Sequence, residues 1–302
     1  MYEKLFAEGG LSLDRLRVLV EVAAAGSITK AAPGDAVRQS QYSRQLRELE
    51  DFFRVKLVER VGKGLQLTGN GKELARISRF FLRGLSNFQR GCLSEEQTFR
   101  IGASATMNQK FLARAVVSEP ELARHRFVFE TVSDDEVERR LHDLTLDFGI
   151  VSRRELSRPL QLGEFGKTGM ALFVSRQLAG SRKSAAKLVK DGRARIILAV
   201  GEMGGPGSMG MNVFENAEPQ LVCESFLSAA EVLRSGRVAA VLPDFVGAEI
   251  KDCWRIEASA GKASMRFALA WNPRLLRLNP HVVRTRDALL KALKTTFRER
   301  AE

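Results

Sequence analysis

Arg38-Gln39-Ser40-Gln41-Tyr42-Ser43-Arg44-Gln45-Leu46-Arg47-Glu48-Leu49-Glu50 carries a helical pattern with two chemically different sides. Tyr42, Leu46, Leu49 and, just beyond, Phe53 recur at i, i+4, i+7 and i+11, so a helix brings them to one side, which packs inward. Half a turn away stand Ser40, Arg44 and Arg47, with Gln39, Gln41 and Ser43 on the flanks and Arg38 at the N-terminal end. Arg pairs in bidentate fashion with guanine, Gln with adenine, and Ser with phosphate or base, so such a face can both position and specify a duplex. A solvated charged surface is the competing reading, because charge runs often only solvate.

The flanking sequence completes a small head. Leu13 to Ala25 places Leu13, Leu16, Val20 and Ala23 on one helical face; Gly26 is a C-terminal cap and Ser27 caps the next helix. With the helix around Ser40 this makes three short helical patterns between Leu13 and Arg60, the arrangement of a helix-turn-helix. Val61-Gly62-Lys63-Gly64-Leu65-Gln66-Leu67-Thr68 then alternates after two glycines, as a small β-wing does. Lys63 at its tip either reaches a phosphate or the minor groove or is a solvated turn lysine.

Leu16, Gly26-Ser27, Thr29, Ala31-Ala32, Gln39, Ser43-Arg44-Gln45-Leu46, Leu49-Glu50, Leu57, Arg60, Leu67-Thr68 and Gly71 together resemble the LysR-type transcriptional regulators, without gaps, and a weaker similarity covers the rest of the chain. The resemblance implies an α/β protein: an N-terminal winged helix-turn-helix, a long dimerising linker helix, then a two-subdomain α/β effector-binding domain similar to periplasmic binding proteins. It implies groove and phosphate contacts from Gln39, Ser43 and Arg44, and assigns Arg60, Lys63 and Thr68 to the wing. The expected DNA-binding set is Thr29, Arg38, Gln39, Ser40, Gln41, Ser43, Arg44, Arg47, Arg60, Lys63 and Thr68.

Three departures from the family pattern stand out. Pro33-Gly34-Asp35 replaces the continuation of the second helix, and proline in a helix costs roughly 3 kcal/mol, so that helix is expected to be short or distorted. Asp35 falls where the family buries an apolar side chain, a space that Ala36 and Val37 would fill after a small rotation. Arg54 replaces the usual glycine, so the reading helix is expected to end without a left-handed cap. Farther on, Thr145 stands one residue after the family's turn glycine, which suggests a different turn. With these changes a second reading stays open: a degenerate member acting through protein–protein contact, with weak or non-specific DNA binding.

The 302 residues suit about two domains, and 44% hydrophobic content supplies real cores. The expected division is 1–71 for the DNA-binding domain, 72–97 for linker helix and hinge, and 98–302 for the effector-binding domain. A net charge of +12 favours a polyanionic partner. The head is the more densely basic part: residues 1–91 hold 16 Lys and Arg against 10 Asp and Glu, and the other 211 residues carry an equal surplus of six. No run of eighteen apolar residues and no signal-peptide pattern occurs, so a cytoplasmic protein without membrane association is expected. Cys92, Cys223 and Cys253 are too far apart for a metal pattern; they read as free thiols, with a Cys223–Cys253 redox switch only if folding joins them.

Past the wing, Leu74, Ile77, Phe81, Leu85 and Phe88 form a stripe near heptad spacing. It covers either the second domain or, as the family's dimerising helix implies, a twin helix in a homodimer or homotetramer. From Phe99 strands alternate with helices: 99–103, 126–132 and 146–151, then 170–174, 194–200, 220–223, 238–242 and 266–271, with a last helix over 282–297. That rhythm predicts a mainly parallel sheet, with ligands beyond the strand C-termini.

Ser104 and Thr106 follow the first strand, where hydroxyls and free N–H groups favour a carboxylate or simply cap a helix. Ser133 follows the second strand and Ser152-Arg153 the third; Arg153 is a carboxylate clamp or an exposed charge. Phe226 completes the effector set. Gly204-Gly205-Pro206-Gly207-Ser208 either lines the cleft or is an ordinary loop.

An enzyme is the rival class. Pro206-Gly207-Ser208-Met209-Gly210 misses the nucleophile elbow, His125, His142 and His281 show no metal or triad spacing, and glycine-rich phosphate motifs are absent. The expectation is a non-enzyme with no cofactor and no metal. Its partners would be double-stranded DNA, a small effector such as a carboxylate, further copies of itself and RNA polymerase.

Overall fold

The computed structural model describes residues 9–61, 64–93, 96–152, 155–203, 219–257, 264–276 and 280–301. Lys63, Arg153, the 204–208 loop and the Cys92 side chain lie outside the described residues. The chain divides into two compact units, Met1–Glu95 and Glu96–Glu302, with the linker helix in the first.

In the first unit, α1 (Leu13–Ala25) starts on Ser12, whose hydroxyl accepts the Arg15 N–H at 3.3 Å, and ends on Gly26 at φ 79°. It buries Leu16, Val18, Leu19 and Val22, while Leu13 is exposed. The buried arc is therefore broader than the expected stripe and rotated from it, because α1 packs against the three later helices of the head. Helix α2 (Ile28–Ala31) is a single turn capped by Ser27 and stopped before Pro33.

The Pro33-Gly34-Asp35 departure then acts as a start signal. Asp35 is the N-cap of α3 (Ala36–Phe53), accepting the Arg38 N–H at 2.9 Å. Ala36 and Val37 do not fill the vacated apolar space; Val37 is 71% exposed, and Ile28 and Ala32 enter the core instead. Tyr42, Leu46 and Leu49 are buried as their spacing requires, with Phe53 packed against them.

The expected loss of a left-handed cap is also corrected: Arg54 itself adopts φ 55°, ψ 36°, and its N–H reaches the Glu50 carbonyl. The wing follows as an antiparallel pair, β1 (Val58–Val61) and β2 (Gly64–Leu67). Helix α4 (Gly69–Leu93), about 37 Å long at 1.5 Å per residue, leaves β2 so closely that a Cβ on Gly71 would lie 2.1 Å from the Leu57 carbonyl oxygen.

The second unit begins with β3 (Thr98–Ala103), followed by a continuous helix α5 made of Ala105–Met107, a π-turn Asn108–Leu112 and Ala113–Ser118. After them come β4 (Arg126–Thr131), α6 (Asp134–His142) and β5 (Phe148–Val151). The long strand β6 (Gln161–Ser175) leads to α7 (Arg182–Lys190), β7 (Ile196–Ala199), α8 (Val200–Met203), β8 (Leu221–Cys223), α9 (Phe226–Arg234) and β9 (Ala239–Pro243). The chain closes with α10 (Asp244–Gly247), β10 (Cys253–Ile256), β11 (Ser264–Trp271), α11 (Pro273–Leu276) and α12 (Pro280–Ala301).

Along the sheet the order is β4-β3-β5-β11-β6-β9-β7-β8, with β10 on β6. Parallel pairs β3/β4, β3/β5, β7/β8 and β7/β9 form the body of each of two lobes. The sheet is mixed rather than mainly parallel: β6 runs antiparallel to β11 through its first half and to β9 and β10 through its second, so one strand belongs to both lobes.

The family's turn-glycine position is Leu144, held at φ 56°. Its side chain is buried, so a gain of roughly 1.5–3 kcal/mol offsets roughly 1–2 kcal/mol of left-handed strain, and the turn keeps its handedness without glycine. At the lobe junction the rings of Phe111, Phe165, Phe245, Phe267 and Phe297 pack 4.9–6.3 Å apart.

Arg54→Gly should stabilise the head. Relief of left-handed strain exceeds the entropy cost of glycine by about 0.5–1 kcal/mol, raising its thermal midpoint by roughly 2–6 °C. A lower midpoint would mean that the Arg54 side chain contributes more than its backbone costs.

Candidate nucleic-acid interface and sensing cleft

One side of α3 is open along its length: Val37, Ser40, Gln41, Arg44 and Arg47 are exposed. Arg44 donates from Nε to Glu48 Oε1 at 3.0 Å, and Glu48 also takes Arg15 Nε at 2.5 Å. Hydrogen bonds from Arg15 and then Arg44 hold the Glu48 carboxyl below the usual carboxylate range.

Arg38 does not join this face. Two residues before Ser40 is 200° around the helix. There Arg38 donates to the Tyr42 hydroxyl at 3.0 Å, lies 5.3 Å over its ring, and approaches Glu21 at 3.8 Å. Tyr42 in turn donates to Glu21. Burial pushes the Glu21 carboxyl up, but hydrogen bonds from Tyr42 and Arg17 outweigh it and leave the group below its ordinary value.

Gln39 is half-buried and donates its amide to the Ala32 carbonyl at 2.8 Å, tying α3 to the turn before it. Thr68 is likewise used by the fold: its hydroxyl donates to the Lys56 carbonyl at 2.7 Å and accepts the Gly71 N–H at 3.1 Å, so it caps α4 rather than pointing outward. Thr29 and Arg60 are exposed on α2 and β1. A shallow cleft of about 360 Å³ between α3 and the wing brings Ser43, Arg47 and Arg60 together.

The floor of that cleft holds Glu50, only 7% exposed. Its Oε1 accepts the backbone N–H groups of Leu57 at 2.8 Å and Val58 at 3.1 Å, and its Oε2 lies 3.4 Å from Lys56 Nζ. One carboxylate on α3 thus fixes where the wing begins. The match to the family pattern at Leu49-Glu50 signals an acidic residue here; its role as a wing anchor depends on a contact seven residues away.

In the second unit, β3, β4 and β5 are parallel, so Ser104, Ser133 and Ser152 do share one edge. Each is engaged locally: Ser104 accepts the Met107 N–H at 3.3 Å, Ser133 accepts the Glu136 N–H at 3.3 Å, and Ser152 donates its N–H and hydroxyl to Asp134 Oδ2 at 2.8 and 2.7 Å. The helix-cap alternative therefore describes Ser104 and Ser133.

Thr106 and Phe226 meet from opposite lobes through a residue outside the expected set. Glu202 Oε1 accepts the Thr106 N–H at 2.8 Å; its Oε2 accepts the Thr106 hydroxyl at 2.6 Å and the Phe226 N–H at 2.8 Å. Between α5 and α9 a cavity of about 200 Å³ is lined by Gln109, Lys110, Leu227, Ala230, Arg234 and Glu249, not by the three serines.

On α4, Leu74 packs into the head's own core, which removes it from the expected stripe. Ile77, Phe81, Leu85 and Phe88 remain exposed on one face, Phe88 by 74%. The two cysteines with described side chains cannot pair. In the order β10-β6-β9-β7-β8, Cys253 and Cys223 sit four strand spacings apart, about 19 Å, where a disulfide needs Cα atoms within roughly 7 Å. Burial raises both thiols, Cys253 to about 11, so neither is a ready thiolate. Among the described residues, no helix is long and apolar enough to cross a membrane.

Residues 13–72 match the family model described as the bacterial regulatory helix-turn-helix protein, lysR family. A protein of Thalassiosira pseudonana named as a probable RuBisCO transcriptional regulator is 24% identical over 194 residues, which cover 60% of this chain and 61% of that one. The chain thus spans about three fifths of that relative's length. Among solved structures, a full-length OxyR variant from Pseudomonas aeruginosa superposes with a TM-score of 0.65 at 16% identity, covering 95% of this chain and 97% of that one. Full-length LysG from Corynebacterium glutamicum, with bound effector Arg, gives 0.64 at 14% identity, covering 94% and 98%. These likenesses show the fold of each unit.

Glu50→Ala should cost about 2–3 kcal/mol, because two backbone N–H groups at the wing lose their acceptor. Denaturant unfolding measures the loss, and amide exchange at Leu57 and Val58 localises it. Unchanged exchange there would show that the wing is held by other contacts.

Proposed function

We propose that the chain acts as a LysR-type transcriptional regulator, which binds double-stranded DNA sequence-specifically and changes its promoter binding when a small effector occupies the cleft of its C-terminal domain. The observation that carries this reading is the open α3 face beside the wing: Ser40, Gln41, Arg44 and Arg47 exposed on one side, with Ser43, Arg47 and Arg60 around one cleft. Helix α3 is wide enough, and polar enough on that side, to enter a major groove. Arg44 and Arg47 read or clamp, Thr29 and Arg60 approach the backbone, and the exposed Val37 adds an apolar point suited to a thymine methyl group. Arg38, Gln39 and Thr68 also tie the head together through their hydrogen bonds to Tyr42, the Ala32 carbonyl and the Lys56 carbonyl.

The degenerate reading rests on Pro33 and Asp35, and it is not favoured: Asp35 caps α3, which runs unbroken to its left-handed stop at Arg54. We further infer a homodimer through Ile77, Phe81, Leu85 and Phe88, whose exposed apolar face suits a second copy of the same helix. Pairs of such dimers would give a homotetramer. The domain division follows: DNA-binding head, linker helix with hinge, and sensing domain from residue 98 onward.

Binding of the full-length protein to the DNA upstream of its own gene, at two salt concentrations and against a random duplex, tests the reading. Sequence preference and a loss of orders of magnitude in affinity from dilute to moderate salt are expected. Arg44→Ala should weaken the preferred site by about 1–3 kcal/mol, roughly 10- to 100-fold, and unchanged affinity would remove Arg44 from the interface. Phe81→Glu should turn the protein monomeric by sedimentation at micromolar concentration; an intact dimer would place the interface elsewhere.

A further inference from the structure

Glu202 is 9% exposed, Thr106 and Phe226 are buried, and the carboxylate accepts three hydrogen bonds from them, all within 2.8 Å. Thr106 follows β3 in the first lobe; Glu202 follows β7, and Phe226 follows β8, in the second. The contact therefore lies beyond the strand C-termini, in the crevice where an α/β sheet binds its ligand. A buried backbone N–H with no acceptor is costly, and here two from opposite lobes face the same point with a hydroxyl between them. That is a receptor for one carboxylate, and the chain supplies the carboxylate itself.

We propose that Glu202 is a tethered internal ligand. It fills the anion subsite formed by Thr106 and Phe226, latches the two lobes together when no effector is present, and restricts effectors to small carboxylates or similar oxyanions that exchange for it. This rests on the reading of the cleft as the sensing site. The atoms involved set the exchange: an entering oxyanion must take the Thr106 N–H, the Thr106 hydroxyl and the Phe226 N–H, while Glu202 swings out to water on the short helix α8. One turn along α5 from Thr106 the junction carries a second tie, Lys110 to Glu249, with Arg300 3.5 Å from the same Glu249 carboxylate.

Two full-length variants test the latch without reference to DNA. Glu202→Gln keeps the volume but points an amide at one of the donors. Exchange of the Thr106 and Phe226 amides should accelerate about tenfold or more, with the β3 and β7 amides still protected. Equal protection in both proteins would overturn the latch. Glu202→Ala empties the subsite: its thermal midpoint should fall by about 4–8 °C, and sodium acetate should restore part of the loss saturably, relative to sodium chloride at equal ionic strength. The wild type, whose subsite is filled, should not respond, and an equal acetate response in both proteins would also overturn the proposal. If Glu202→Gln loses amide protection while its DNA affinity stays that of the wild type, the latch stands and the reading of the cleft as regulatory fails.

Discussion

One strand constrains everything the second unit can do. Gln161–Ser175 is paired with β11 through its first half and with β9 and β10 through its second, so both lobes hang on a single unbroken extended segment. The lobes cannot part like two beads on a linker, because separation would break a hydrogen-bonded ladder. Motion is confined to twist or hinge bending near residues 169 and 170, where the partner of β6 changes from β11 to β9. The packed rings of Phe111, Phe165, Phe245, Phe267 and Phe297 sit at this junction and resist shear there, since close-packed side chains have few alternative arrangements.

The head follows the same economy with a different device. Glu50 projects from α3 and accepts the N–H groups of Leu57 and Val58 where the wing begins, so the wing is fixed to α3. Gly71 lets α4 start against the Leu57 carbonyl, and Thr68 ties that start to Lys56. Helix α3, the wing and helix α4 are thereby linked through one short stretch, Lys56 to Leu57. Little ordering is left to be done on binding, and preorganisation of this kind preserves affinity.

How much of this was legible in the sequence depends on the range of the interactions. The α3 stripe, the caps at Gly26 and Ser27, the wing and the two parallel triplets are set by local spacing and were readable. The first half of β6 was not: Gln161-Leu162-Gly163-Glu164-Phe165-Gly166-Lys167-Thr168-Gly169 has three glycines and no clean alternation, and it is extended because β11 pairs with it a hundred residues later. Asp35, Arg54 and Leu144 misled for one reason. Each breaks a residue preference while preserving the backbone that preference serves, as cap, left-handed stop or left-handed turn. The hydrogen bonds that Arg38 and Thr68 make within the head were not readable, because spacing and family pattern say nothing of Tyr42 as a partner or of the Lys56 carbonyl. Glu202 gave no signal at all: it stands in Val200-Gly201-Glu202-Met203, and one of its partners is 96 residues away.

A tethered carboxylate also dictates what a competing ligand must look like. Glu202 pays little translational entropy to stay in place, and short tethers correspond to local concentrations of at least millimolar order. An effector offering only a carboxylate would gain the same three hydrogen bonds that Glu202 gives up, and so would have no advantage. Selectivity must then come from the rest of the molecule, through contacts that Glu202 does not make. The neighbouring edge formed by Ser104, Ser133 and Ser152 provides polar atoms whose present bonds are local and leave hydroxyl valences to spare at the two capping serines. A ligand that spans from the Thr106–Phe226 subsite toward that edge replaces the internal carboxylate and adds what the chain alone cannot supply, which is the difference in affinity that shifting a conformational equilibrium requires.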